Sequence, residues 1–147
     1  MRFTVLCAGK LKERFYADAV SEYKKRLTRY AETEITEVAD GPDRKAEAER
    51  ILKRLPKDAY IITLEIEGRS FSSEDFASYI KELTLQGCSH IVFIIGGSEG
   101  LDITVRQKAD LALSFSEFTF PHMLMRVILM EQIYRSMKIL NNEPYHK

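Results

Sequence analysis

The chain has 147 residues, 45% of them hydrophobic, enough for one domain whose core needs neither disulfide nor metal. Its 22 basic and 22 acidic residues cancel, which excludes attachment to nucleic acid by net charge alone while permitting a local basic face. Cys7 and Cys88 sit beside apolar strand-like residues without metal or redox spacing, and read as buried, reduced thiols of a cytoplasmic protein. The opening "MRFTVLCAGK" is too short an apolar run for a signal peptide, and no run is long and uncharged enough to span a bilayer, so no membrane partner is expected.

Arg2 to Ala8 is β-branched and apolar and ends at Gly9, which predicts a first strand buried on both faces. In "ERFYADAVSEYKKRLTRY", Phe15, Ala19, Val20, Tyr23, Leu27 and Tyr30 recur at helical spacing, giving an amphipathic helix with a basic end. "ETEITEVAD" alternates as a half-exposed strand that Gly41-Pro42 breaks. Asp43 to Leu55 is charged and helical in period, with Ile51 and Leu52 facing inward and Pro56 ending it. "AYIITLEI" predicts a third strand. Ser73 then reads as the N-cap of a helix with acids in its first turn and Gly87 at its end. The strand "HIVFIIGG" follows, and after it "ADLAL". Strands alternating with helices predict an α/β fold: a single domain, residues 1–147, with a mostly parallel sheet covered by helices on both faces.

Ligands of such sheets gather beyond the carboxyl ends of the strands. Three such ends stand out: Leu64-Glu65, Gly96-Gly97, and the segment "SFSEFTFPHMLMR". The turn "GGSEG" matches neither G-x-G-x-x-G nor a P-loop, and Glu99 puts a negative charge where a phosphate would need cations, so its ligand is not expected to be a polyphosphate. The turn reads equally as a tight strand-to-helix connection without a ligand. Phe115, Phe118 and Phe120 alternate with polar residues before Pro121 opens a helix, and by pattern alone they read as core. The helix "HMLMRVILMEQIYRSMKIL" is apolar on nearly every face, more than one side of a sheet requires. Its surplus predicts an isologous dimer, with Ile133 among the interface residues. Arg126, Glu131 and Arg135 near an apolar interface are expected to be paired or functional. Lys10, Lys12, Arg14, Lys24, Lys25, Arg26 and Arg29 form a candidate phosphate-binding face.

"TLEIEG", "IIGGSEG", "FTFPHMLMRVILMEQIYR" and the terminal "NNEPYHK" resemble, in order, the T-L-D/E, I-G-G-x-E-G, L-x-H-x-x-x-R and N-x-P-Y-H segments of the RlmH family of SPOUT methyltransferases. The match spans essentially the whole chain. The resemblance implies S-adenosylmethionine as methyl donor, no metal, a C-terminal trefoil knot and a homodimer. It also implies methylation of N3 of a pseudouridine in a 23S rRNA stem-loop of the large subunit, within the assembled ribosome. Donor-binding positions carry over to Leu64, Gly96, Phe115, Ser116, Glu117, Phe118, Thr119 and Phe120.

The imide N–H of the acceptor must lose its proton, and candidates to accept it or stabilise the charge are His146, Tyr145, Arg126 and Glu131. Tyr145 and His146 follow the breaker Pro144 and are expected to be free to close over a substrate, in a partner subunit's site if the site is composite. Lys147 stands where arginine is frequent in the family, which keeps the charge and loses the fork geometry. The competing expectation is a non-catalytic dimeric module that binds a nucleotide or RNA on the same scaffold.

Overall fold

Alternating apolar runs and amphipathic segments fold into five strands and five helices in the computed structural model, which describes residues 1–147. β1 (Arg2–Ala8) sends Phe3, Val5 and Cys7 into one core and Leu6 and Ala8 into another, the two-residue period of a strand covered on both faces. Helix α1 (Arg14–Leu27) buries Val20 and Leu27. Phe15, whose spacing puts it on the same stripe, is 67% exposed, since the first turn of α1 buries no residue.

β2 (Glu32–Val38) pairs with β1 at the sheet edge, and α2 (Arg44–Arg54) starts where the Asp43 carboxylate accepts the Ala46 N–H at 2.8 Å. Ile51 is buried as expected, while Leu52 beside it is only half-buried.

β3 (Tyr60–Ser70) runs past the expected Ile66, because after an irregularity between Leu64 and Arg69 it pairs again with β5. Gly68 permits this return: a Cβ there would meet the Ala112 backbone at 2.7 Å. Helix α3 (Ser73–Leu85) is capped by Ser72 rather than Ser73. Ser72 Oγ accepts the Asp75 N–H at 3.0 Å, and Ser73 Oγ donates instead to Gln132 Oε1 at 2.8 Å. β4 (His90–Ile95) precedes a one-turn helix α4 (Ile103–Arg106), capped by Asp102 and too short to show a helical period. β5 (Leu111–Ser114) and α5 (His122–Leu140) complete the chain.

All five strands are parallel, in the order β2-β1-β4-β3-β5. Helices α1, α3 and α5 cover one face around a core that includes Phe93, Phe76 and Leu129, with α5 packed against both α1 and α3. Helices α2 and α4 cover the other, around Val92, Ile51 and Val105. The chain leaves β3 for α3 on one face and β4 for α4 on the opposite face, so the connections diverge and open a crevice at the carboxyl edge.

Ile133 faces the protein's own sheet and is fully buried, which corrects its assignment to an interface with a second copy. Met123, Leu124, Ile128 and Ile139 are the half-buried apolar residues of α5 away from that core, whereas Val127 packs against it. Cys7 is buried, and burial pushes its thiol up to about 12, whereas Cys88 is half-buried rather than buried. No helix is long and apolar enough to cross a membrane.

Candidate functional site

The glycine turn closes on itself. Gly100 N–H donates to Gly97 O at 3.0 Å, and Gly100 has φ +79°, a left-handed conformation that suits glycine. A Cβ on Gly96 would come within 2.7 Å of the Gly100 backbone. Gly96 is therefore required by the turn itself, a different reason from the ligand approach that its motif suggests.

This turn forms one wall of a cleft of about 680 Å³ at the carboxyl ends of β3, β4 and β5. Leu64, Glu65 and Ile66 come from β3, Ile95 to Leu101 from β4 and its turn, and Phe115, Ser116 and Phe118 to Pro121 from the segment after β5. His122 and Met125 of α5 close the floor. Of the expected donor-binding residues, Leu64, Gly96, Phe115, Ser116, Phe118, Thr119 and Phe120 come together here. Glu117 does not line the cleft and is exposed. Ser116 shapes this wall: its Oγ accepts the Phe118 N–H at 3.0 Å and its carbonyl accepts Ser114 Oγ–H at 3.2 Å. Phe115 packs on the core, but Phe118 is 77% exposed, so the phenylalanines are not uniformly core.

No lysine or arginine lines the cleft, whereas the Glu65 and Glu99 side chains do. The Glu65 carboxylate is fixed, accepting Arg106 Nε–H at 2.6 Å and Thr63 Oγ1–H at 2.5 Å. Arg106 neutralises Glu65 without lining the cleft, so a polyphosphate would meet the Glu99 carboxylate and find no lysine or arginine along the walls. A ligand with an aromatic base, hydroxyls and a sulfonium fits apolar walls, backbone groups and the Glu99 carboxylate. S-adenosylmethionine has that chemistry, and the turn, Leu64, Phe115, Ser116 and Phe118 to Phe120 would hold it. No group of three or more His, Cys, Asp or Glu side chains is arranged to hold a metal ion. Glu65 and His122 lie in strand-end segments singled out in the sequence, but neither is among the eight expected donor-binding residues. The signal for His122 was an imidazole placed directly after a helix-opening proline at the same strand edge.

The four candidate proton-handling residues lie elsewhere. Arg126 is 1% exposed and does not line the cleft. Its guanidinium donates to Glu37 Oε2 at 2.5 Å, Gly9 O at 2.7 Å and Ala8 O at 3.2 Å, fastening α5 to the end of β1. Glu131 accepts from both Arg135 Nε and Nη2 at 2.9 and 2.6 Å, and from Tyr145 Oη at 3.1 Å. His146 lies between Arg135 (Nη1 to Nδ1, 3.1 Å) and Glu74 (Nε2 to Oε1, 2.7 Å).

The tail is thus docked rather than free. Tyr145 stacks edge-on against Tyr134 with centroids 4.9 Å apart, and under Arg135 at 4.7 Å. Burial, and then Glu131, push its phenol up to about 12, so in this position Tyr145 donates its proton in a hydrogen bond and is not a base at neutral pH. Glu131 and Arg135 stand nine and thirteen residues beyond His122, about 14 and 20 Å along α5 at 1.5 Å per residue. The basic residues divide in the same way. Lys10, Lys12 and Arg14 precede or begin α1, whereas Lys24, Lys25, Arg26 and Arg29 lie at its other end, about 20 Å away.

The family model described as "Predicted SPOUT methyltransferase" matches residues 1–146. The "Ribosomal RNA large subunit methyltransferase H" of Bifidobacterium animalis subsp. lactis is 48% identical, with all of both chains covered. A probable methylase family protein from Haemophilus influenzae Rd KW20 has a similar fold, with TM-score 0.59 and 13% identity over 99% of this chain and 70% of that one. So does the SpoU methyltransferase AviRb of Streptomyces viridochromogenes, solved with AdoMet, with TM-score 0.50 and 10% identity over 95% and 58%. With a cleft at the diverging strand ends and a family match along the whole sequence, this chain belongs to the SPOUT methyltransferase family.

Proposed function

We propose that this protein transfers a methyl group from S-adenosylmethionine to large-subunit ribosomal RNA, at N3 of a pseudouridine in a 23S rRNA stem-loop of the assembled ribosome, and that it works in the cytoplasm as a homodimer. The observation that carries the reading is the cleft at the strand ends, lined by apolar and backbone groups and by no lysine or arginine. The relatives' names support ribosomal RNA as substrate, and the AdoMet in the AviRb structure supports the donor. Membership of a methyltransferase family argues for an enzyme over the non-catalytic module. When bound, the donor supplies a methyl group activated by its sulfonium. The residues around it have three tasks: to hold it, to exclude water, and to bring an imide nitrogen into line with the bond that breaks.

The proton of that nitrogen needs an acceptor, and the candidates Glu131, Tyr145 and His146 lie well along α5 from their own cleft. A second copy packed on Leu124 and Ile128 would bring its own cluster toward this cleft and make the site composite. Arg126, whose two terminal nitrogens are held by Glu37 and two carbonyls, is reassigned to holding the fold. We also propose the trefoil knot that the family resemblance implies. Ribosomes from a strain lacking the enzyme, incubated with protein and donor labelled in the methyl group, test the function. Label is expected in 23S rRNA and, after digestion, in 3-methylpseudouridine. Label in another nucleoside would overturn the position, and no label in RNA would overturn the activity.

A further inference from the structure

The corner between β1 and α1 carries a patch that the methyl-transfer cleft leaves unused. Phe15 is 67% exposed, supported only by Tyr16, whose ring lies 4.4 Å away at 56°. Lys10 and Lys12 make no ion pair, and Arg14 is only 3.9 Å from Asp18 in a pair whose side chains are 93% and 73% exposed, so water screens it and a phosphate can displace it. The corner is fixed in place: Leu11 N–H donates to Glu37 Oε2 at 2.8 Å, and Glu37 and the Gly9 carbonyl are held by buried Arg126. It packs on the first turn of α5, whose His122 lines the cleft: a Cβ on Gly9 would lie 3.4 Å from Met123 Cε.

A large aromatic face left in water between three cations, on a rigid corner beside the site, matches an unpaired nucleotide, whose base stacks and whose flanking phosphates take the charges. We infer that the β1–α1 corner docks an unpaired nucleotide next to the target, with Phe15 stacking on its base and Lys10, Lys12 and Arg14 holding phosphates. This rests on the ribosomal RNA reading above.

The test measures methyl transfer to ribosomes as a function of ribosome concentration, and binding of the protein to a 23S stem-loop transcript across a salt series. Phe15→Ala should raise KM for ribosomes about tenfold, at the modest end of what one stacked base contributes, with kcat and donor affinity unchanged. Phe15→Trp should restore it. Replacing Lys10, Lys12 and Arg14 together with glutamine should lower the slope of log K against log salt by about two, at ~0.7 per phosphate on single strands. An unchanged KM in Phe15→Ala, while the wild type methylates, overturns this inference and leaves the function standing. A change in the sedimentation of Phe15→Ala overturns it too, making the patch a contact between copies. A wild type that transfers nothing to ribosomes removes both.

Discussion

Arg126 is the only charged side chain in the buried interior, and each of its neighbours at the end of β1 is a hydrogen-bond acceptor. Removing it would take a donor from Glu37 and from two carbonyls. Arg126→Ala should lower the unfolding free energy by about 2 kcal/mol, read from the urea midpoint, since the buried carbonyls lose a charged donor while the part-exposed Glu37 keeps water and the Leu11 N–H. From the sequence, Arg126 could be expected to be paired or functional. Its partner stands 89 residues away, in a strand whose position depends on the sheet order, so the choice between the two was not legible.

His90 gives a second residue-scale test. Burial, and then Arg2, hold its pKa below the ordinary 6.5, and its ring meets Thr4 Oγ1 at 2.8 Å. Above about pH 6.5 both folded and unfolded chains carry it neutral, so it contributes no pH dependence. Below that value the unfolded chain takes up a proton that the folded one resists, and stability falls. The melting temperature should therefore drop between pH 7 and pH 5.5, and His90→Gln should shrink the drop. A drop of equal size in that variant would place the dependence on other groups.

Among the elements, α5 separates what a helical pattern can predict from what it cannot. Its bounds, His122–Leu140, match the apolar run read from the sequence, and so do those of β1. Which apolar residues face inward was not legible, because a helix apolar all round has no preferred face until its neighbours are placed. Packing between α1 and α3 turns Ile133 inward and leaves Val127 and Ile128 half-buried. Ile133→Asp should therefore fail to fold, giving insoluble or molten protein by near-ultraviolet circular dichroism. Ile128→Asp, outside the core, should stay folded and lose self-association on sedimentation, the result a dimer through this face requires. A folded Ile133→Asp variant would contradict the packing. The extension of β3 and the short α4 were invisible for a related reason: the first depends on pairing with β5, and the second is four residues long.

At the scale of the whole molecule, the fold class, the parallel sheet and the three strand ends that meet at the cleft were legible, because strand ends follow from apolar runs and their breakers; seven of the eight positions that the family resemblance adds line that cleft. The docked tail was not. Pro144 suggested a segment free of the core, whereas Tyr134, Arg135 and Glu131 hold Tyr145 down along α5. Deleting residues from Tyr145 onward would then remove packing as well as any catalytic role, so point variants are the sharper probe. His146→Ala should slow methyl transfer by at least tenfold with the dimer intact, and a wild-type rate would leave proton handling to Glu131 or to His122 in the cleft.

The cleft accepts S-adenosylmethionine, on this reading, because apolar side chains and backbone groups line it and no lysine or arginine does. Titration calorimetry of the purified protein with S-adenosylmethionine, and separately with ATP, tests it most directly. The account predicts saturable binding of S-adenosylmethionine at one site per chain, weakened in Glu65→Lys, and no measurable binding of ATP. Binding of ATP as tight as that of the methyl donor, or no heat from the donor at all, would contradict it.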